Sequence, residues 1–505
     1  MTAIMPRAPA TVLHMVAEAA TTMPDRLALR CGTETLTYRD YAACIAGFAA
    51  ELGREAHGAR VAVVMANSLD AAIAIYAVGA AGAQLVPLNP AYTTHELEPI
   101  LHDADPVLII CDAGLEDAIR TLAARIGVTR CIAVGLDKRL TAWRGSGLTI
   151  QSFPPPESLG LLQYTGGTTG RAKGVNLTHT AIATNVAQRE ALLPSEDGER
   201  VLAVTPLYHS YAMAMGLHLA SYCRGTLTTL PRYHPKDVLD TIAREKITLF
   251  AGSPTLFVSL MGHADFERTD FSSLKLCFSG ASALPVETLR RWEQATDCGI
   301  CEGYGQTEAG PVLTYNPRHG VRKIGSVGVA LPSTDVEIVD ADNGQTVLPV
   351  GESGEVRARG PQIMTGYRNR PEETAAALRN GWLYTGDIGA FDNDGYLFIR
   401  DRKKDMVIVG GFNVFPREIE EVLCQHPDVV EAAVVGVNDS YRGEALRAFV
   451  VPGPEASVTA EDLLDYLRER LTKYKIPAQI VTTNALAKTS VGKVDKVALR
   501  ANASS

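Results

Sequence analysis

Positive charge is scarce in this sequence. Its 48 Lys and Arg are outnumbered by 57 Asp and Glu, a formal charge of −9 over 505 residues, whereas nucleic-acid and anionic-membrane surfaces need a cationic excess. A dense cysteine framework is missing too. The nine thiols (Cys31, Cys44, Cys111, Cys131, Cys223, Cys277, Cys298, Cys301 and Cys424) are scattered, odd in number and set mostly among apolar neighbours, unlike a secreted disulfide scaffold. That pattern predicts a reducing, cytoplasmic setting. The nearest thing to a membrane span, residues 71–83, is short and rich in Ala and Gly, which fits a buried helix. Residues 1–30 lack the uninterrupted apolar stretch of an export signal; Val12, Leu13, Val16 and Ala19 recur instead at helical spacing. No fixed-period repeat signals a solenoid. Cys298 and Cys301, in DCGICEG, have zinc or redox spacing, but no second pair or His doublet follows, so two small residues of a buried strand are expected.

What is present suits small-molecule chemistry in a chain of at least two domains. Short β-branched runs (RVAVVM at 60–65, QLVPL at 84–88, PVLIICD at 106–112) alternate with helical patterns, and the alternation recurs after Val201 with helices expected over 235–245 and 285–296. That texture predicts βαβ units and a mostly parallel sheet. From Ser326 to Tyr367 short strands with turn signals read as a β-rich subdomain. Beyond Asp401 lies a compact α+β unit, with 14 Lys and Arg against 14 Asp and Glu in residues 402–505, so the acidic excess lies wholly before it. The expected organisation is an α/β chain with a large multi-sheet N-terminal domain (1–401) carrying the β-rich subdomain, followed by a small α+β C-terminal domain (402–505).

The stretch YTGGTTGRAKG, residues 164–174, holds four glycines and three threonines in eleven residues. Strands are expected on both sides, with a helix only near Thr180, so the loop does not meet the P-loop requirement that its Lys-Ser/Thr open a helix at once. Bare backbone N–H groups, threonine hydroxyls and one lysine still make an anion-binding concavity, and polyphosphate is the natural ligand. A lone glycine cluster would more often be a hairpin tip. Three further stretches decide otherwise: YGQTE (304–308), GWLYTGD (381–387) with DRKKD (401–405), and KTSVGK (488–493).

In this order these motifs resemble the adenylate-forming enzymes, which include acyl-CoA synthetases, peptide-synthetase adenylation domains and firefly luciferase. The resemblance runs from about Leu36 to Lys496. LLQYTGGTTG, EGYGQTE, GSVGVALPST, GPQIMTGY and DRKKDMVIVGGFNVFPREIE look most like bacterial medium- and long-chain fatty-acid–CoA ligases. The family joins a carboxylate to the α-phosphate of MgATP, releasing pyrophosphate, and a thiol then displaces AMP. Such chemistry asks the protein mainly for positioning and charge stabilisation.

The resemblance implies that Thr165, Gly166, Gly167, Thr168, Thr169, Gly170 and Lys173 cradle the β- and γ-phosphates, that Thr307 bonds the α-phosphate, and that Glu308, with Thr168, holds Mg²⁺, a hard cation that takes oxygen ligands. Tyr304 and the turn of Ser279, Gly280 and Ala281 would line the adenine. Asp387 and Arg402 would grip the ribose hydroxyls. Lys493 would bridge carboxylate and α-phosphate from a mobile lid, its compact charge on a long stem suiting that entry, and His209 would sit beside the substrate carboxylate. Lys404 falls at the family hinge, about which the smaller domain rotates, while Lys403 reads as a solvated charge. Gly410 and Gly411 would line the pantetheine tunnel for coenzyme A. Ala487 stands where the family usually has proline, and VDKVALR follows where an arginine is common; looser docking of the lid is the expectation.

Residues 210–216 carry no carboxylate to pair a substrate ammonium; their small and flexible apolar side chains suit an alkyl or aryl acid. The expected activity is an AMP-forming acyl-CoA synthetase using ATP, Mg²⁺ and CoA on a medium- or long-chain fatty acid. Aryl or short branched acids, an acyl-AMP ligase that loads a carrier protein, and a nucleotide-binding scaffold stand as alternatives. Neither a nucleic acid nor a transmembrane segment is expected, and a homodimer is compatible with the sequence without being required by it.

Overall fold

The structure, a computed structural model, describes residues 5–135, 137–165, 172–280, 282–409, 412–439, 443–453, 456–489 and 493–503. Four sheets organise them. A seven-stranded sheet is built around parallel strands Arg60–Val64, Gln84–Leu88, Leu108–Asp112 and Arg130–Val134. Each of the first three is followed by a helix (Leu69–Ala80, Thr94–Ala104 and Glu116–Ile126), as right-handed βαβ crossovers require. Helix Leu69–Ala80 is buried along its whole length. The apolar run around it is therefore a core helix, and among the described residues no helix is long and apolar enough to cross a membrane.

A nine-stranded sheet carries the parallel strands Arg200–Ala203, Leu249–Gly252, Leu276–Ser279 and Ile300–Tyr304. On its flank, helix Val286–Thr296 seats the fully buried Trp292 edge-on to Phe257 at 4.8 Å between centroids. Helix Pro235–Glu245 starts on its proline at the first turn, where the missing N–H costs nothing. The β-rich subdomain extends past Tyr367: strands Trp382–Phe391 and Leu397–Arg402 join Asp335–Val339 and Gly354–Arg359 in one antiparallel sheet. A fourth sheet, centred on the antiparallel pair Val429–Asp439 and Gly443–Pro452, packs helices Pro416–Cys424 and Ala460–Arg468 over Val434, Leu446 and Ala448.

The expected α/β architecture is observed: a large multi-sheet N-terminal part and a small C-terminal unit. The sequence pattern predicts a helix over residues 460–473, but the helix stops five residues earlier, at Arg468. Residues up to Lys475 continue as turns and a short 3₁₀ segment.

Candidate active site

Three parallel strands end at one edge of the nine-stranded sheet, with Gly252, Ser279 and Glu302 in register. Ligand sites of open α/β sheets lie beyond such carboxyl ends. Tyr304 closes the third strand, and the 3₁₀ turn Thr307–Ala309 follows within three residues. The motif YGQTE thus sits at the strand-end crevice because the strand stops there.

Strand pairing brings the distant TGD and DRKKD motifs together. Asp387 and Arg402 are direct cross-strand partners, and Arg402 Nε lies 2.9 Å from Asp387 Oδ1. Tyr304 donates its hydroxyl to Asp387 Oδ2 at 2.6 Å. Burial raises the Asp387 carboxyl above its usual value, while Arg402 and the Tyr304 hydroxyl pull it back down. Arg402 remains 47% exposed along its side chain. A fixed acceptor and an accessible donor therefore sit side by side. Tyr304, expected as an adenine-stacking ring, is also the residue that orients Asp387.

Strands Leu159–Thr165 and Lys173–Thr178 form the expected hairpin, with Thr165 opposite Lys173 at the base of the loop. Gly166, Gly167, Thr168, Thr169 and Gly170 lie outside the described residues, as do Ala281, Gly410 and Gly411. Lys173 Nζ stands 5.2 Å from the centroid of the Tyr367 ring. The Tyr367 hydroxyl donates to Glu308 Oε1 at 2.9 Å, and Glu308 is further fixed by its carbonyl accepting Met364 N–H at 2.9 Å. Tyr367 thus joins the phosphate-loop lysine to the candidate metal carboxylate. Sequence reading assigned it no role, although it closes the quoted GPQIMTGY. Its position follows from strand Gly366–Tyr367, which adds to Lys173–Thr178.

Ser210 Oγ lies 3.3 Å from Thr307 Oγ1. The preceding His209 is half-buried and caps the helical stretch from Ser210, its Nδ1 accepting Tyr211 N–H at 3.3 Å. Burial, and secondarily the charge of Lys493, lower the His209 pKa to about 4. The ring is therefore neutral at physiological pH. From Met213 to His218 the helix widens into a π turn, a local distortion common at functional sites. Met213 and Met215 on it are buried core residues. Gly280 lies close under Tyr211: a Cβ there would stand 2.7 Å from the Tyr211 ring.

Lys493 comes from the C-terminal unit into this arrangement. Burial lowers its pKa first and the nearby Arg402 guanidinium second, with Asp387 and Glu308 acting in the opposite sense. The hairpin that presents it is tied on both strands: Thr489 N–H donates to the Lys493 carbonyl at 2.7 Å, and Asp495 N–H to the Ala487 carbonyl at 2.8 Å. Lys488 and Lys496 anchor it to Glu431 and Glu420 at 2.7 and 2.8 Å. At the junction of the units, Arg417 Nη1 donates to the Ile399 carbonyl at 2.8 Å and Asp401 Oδ2 accepts Arg417 N–H at 3.0 Å.

Lys403 corrects an expectation. It is not merely solvated, because its Nζ reaches the buried Glu355 Oε2 at 3.0 Å and the Ala341 carbonyl at 2.6 Å. Cys298 and Cys301 are both buried, as expected, but only Cys301 lies in the strand Ile300–Tyr304; Cys298 precedes it, with Cys277 as its neighbour at 3.8 Å between sulfurs.

The chain matches the model of AMP-binding enzymes over residues 16–368 and that of the AMP-binding enzyme C-terminal domain over residues 418–493. It is 37% identical over 522 residues to a long-chain-fatty-acid–CoA ligase of Bacillus subtilis, covering 96% of this chain and 93% of that one. Among solved structures, ATP-bound MatB from Rhodopseudomonas palustris superposes with a TM-score of 0.89 at 32% identity, covering 97% of this chain and 98% of that one. The anthranilate CoA ligase AuaEII in complex with anthranoyl-AMP superposes with a TM-score of 0.91 at 26% identity, covering 99% and 98%.

Proposed function

Because this chain belongs to the AMP-binding enzyme family and is an acid–CoA ligase that uses ATP, we propose that Lys493, Glu308, Thr307, Asp387 and Arg402 together form the centre in which its acid is adenylated. The carrying observation is the convergence on one crevice of the Asp387–Arg402 pair, the Tyr367-held Glu308 and Lys493. Four separate chain segments supply them, and nothing in the packing of a core would require these charges to meet.

In the first half-reaction a substrate carboxylate oxygen forms a bond to the α-phosphorus as the bond to pyrophosphate breaks. In the second, the CoA thiolate adds to the acyl carbon and AMP leaves with the electron pair of the acyl–oxygen bond. Asp387 accepts from, and Arg402 donates to, the ribose hydroxyls. Thr307 and Lys493 face the charge that builds between carboxylate and α-phosphate, where preorganised donors are worth most. His209, kept neutral, borders the carboxylate without adding charge. Glu308 suits a hard dication: Oε1 is occupied by Tyr367, and Oε2 accepts no hydrogen bond among the described residues. Mg²⁺ held there would neutralise phosphate charge. Among the described residues no group of three or more His, Cys, Asp or Glu could hold an ion. That donor set fits an ion which takes most of its ligands from the nucleotide.

The acid is proposed to have an apolar body. The relatives named as long-chain-fatty-acid–CoA ligases support an alkyl chain. An aryl acid is the second reading, favoured by the Tyr211 ring held flush against Gly280 at the crevice and by the AuaEII likeness. The test is to incubate the protein with ATP, Mg²⁺, CoA and a panel of acids from acetate to oleate and benzoate. AMP, pyrophosphate and free acyl-CoA in equal amounts are expected; adenylate without free thioester would point to a carrier-protein acceptor instead.

A further inference from the structure

Strand Arg200–Ala203 leaves the nine-stranded sheet just before the segment that carries His209. Pro206 lies within that segment. A proline holds the residue before it extended and offers no N–H of its own, so Thr205 cannot begin a helical turn, and the backbone polar groups around the proline must find partners elsewhere. Asn67 supplies them. Its side-chain nitrogen donates to the Thr205 carbonyl at 3.3 Å, and its side-chain oxygen accepts Leu207 N–H at 2.7 Å. One carboxamide thus spans Pro206 from both sides. Asn67 is 6% exposed and Leu207 1%, and a bond lost there would leave a buried polar group unpaired.

Asn67 is itself fixed. It closely follows strand Arg60–Val64 of the seven-stranded sheet. On one side of it Asp112, at the end of strand Leu108–Asp112, accepts Ala66 N–H at 2.9 Å; on the other, Ser68 caps helix Leu69–Ala80 by accepting Ala71 N–H at 3.0 Å. The clamp therefore ties the seven-stranded sheet to the turn that delivers His209. That turn continues with the Pro206 carbonyl accepting His209 N–H and the His209 carbonyl accepting Met213 N–H, both at 3.0 Å. Directly after His209, Ser210 lies against Thr307. His209 is thus held through Asn67 on its N-terminal side and at the crevice on its C-terminal side.

We infer that Asn67 is a positioning residue for the adenylation step: it acts through His209, setting where the imidazole stands beside the substrate carboxylate, without touching acid or nucleotide itself. Two features separate this role from an ordinary loop tie. Both bonds go to the residues that bracket the proline, a short step before His209, and they come from a different sheet from the one the segment has just left. A misplacement of about 1 Å can slow a reaction by about a hundredfold, so a catalytic turn with no strand or helix of its own at Thr205–Leu207 needs an external strut. The inference rests on the place given to His209 in the proposed centre and deepens it.

The test is a double-mutant cycle in pyrophosphate exchange with the full-length protein and the acid of the panel above that it uses fastest. Asn67→Ala is expected to lower kcat/KM for that acid by between about ten- and a hundredfold, while the affinity for AMP, measured by titration, stays unchanged because Asp387 and Arg402 are untouched. In a His209→Ala background the same substitution is expected to add less than about twofold, since residues that act as one unit do not give additive losses. Folding is checked by thermal unfolding. Should Asn67→Ala fail to fold, Asn67→Ser carries the same cycle: its short hydroxyl cannot span Pro206, but it leaves room for a water to satisfy the freed backbone groups. Wild-type kcat/KM in the folded Asn67 variants, losses that multiply in the double variant, or a weakened affinity for AMP alongside the lost turnover would overturn the inference. A His209→Ala variant as active as wild type would instead refute the place given to His209 above, and this inference would fall with it.

Discussion

Asp387 is held from both sides, by the Tyr304 hydroxyl at 2.6 Å on one oxygen and by the Arg402 guanidinium at 2.9 Å on the other. The two partners come from different sheets, so the carboxylate is aimed by tertiary structure rather than by its own turn. Tyr304→Phe removes one hydrogen bond to a charged group, an interaction worth about 1.5–3 kcal/mol. KM for ATP is expected to rise by about tenfold or more, with little change in the KM of the acid. Asp387→Ala is expected to do more damage, because Arg402 is then left without its partner; isothermal titration with AMP measures both effects directly.

A similar chain of contacts links Lys173, Tyr367 and Glu308. With Glu308 as the Mg²⁺ carboxylate, Glu308→Gln is expected to lower kcat by about a hundredfold, the scale of losing one electrostatic group in a preorganised site. The Mg²⁺ concentration for half-maximal rate is expected to rise at saturating ATP. Tyr367→Phe is expected to shift the Mg²⁺ curve in the same direction by only severalfold. An unmoved Mg²⁺ curve in both variants would remove Glu308 from that role.

Glu302 supplies a pH-dependent prediction. It lies buried in the strand just before Tyr304, with Oε1 accepting Leu284 N–H at 2.9 Å. Burial raises its pKa from 4.5 to about 7, against the opposing charge of Arg417. Between those two values the folded chain keeps a proton that the unfolded chain releases, so stability falls as pH rises through this window. The full effect is on the order of 3 kcal/mol. Glu302→Gln keeps the acceptor without the charge. Its stability relative to wild type, followed by denaturant unfolding, is expected to improve from about pH 5 to about pH 8 and then level off. A difference independent of pH would contradict the raised carboxyl.

Much of this was legible in the chain itself. Strand Gln84–Leu88 and helix Pro235–Glu245 have the bounds that their apolar runs and flanking Gly or Pro indicated, because local pattern and tertiary burial agree there. Segments 304–308 and 381–387 were recognisable as motifs. Their mutual geometry was not, since the 2.6 Å contact of Tyr304 with Asp387 depends on how two sheets meet. Tyr367 escaped for the same reason: a two-residue edge strand has too little sequence pattern to reveal which hairpin it joins. Lys403 looked solvated because RKKD is a charge run, yet Glu355, a distant residue on another strand, waits buried beside it.

The most direct measurement separates the two half-reactions in Lys493→Ala. Lys493 interacts electrostatically with Asp387, Arg402 and Glu308 in the structure, the groups proposed above to form the adenylation centre. Pyrophosphate exchange driven by the acid is expected to fall by a factor of about a thousand, the upper range for one electrostatic group, while conversion of preformed acyl-AMP and CoA to thioester falls severalfold at most. Equal loss in both half-reactions, or adenylation close to the wild-type rate, would contradict a lysine that enters the crevice to make the acyl–phosphate bond.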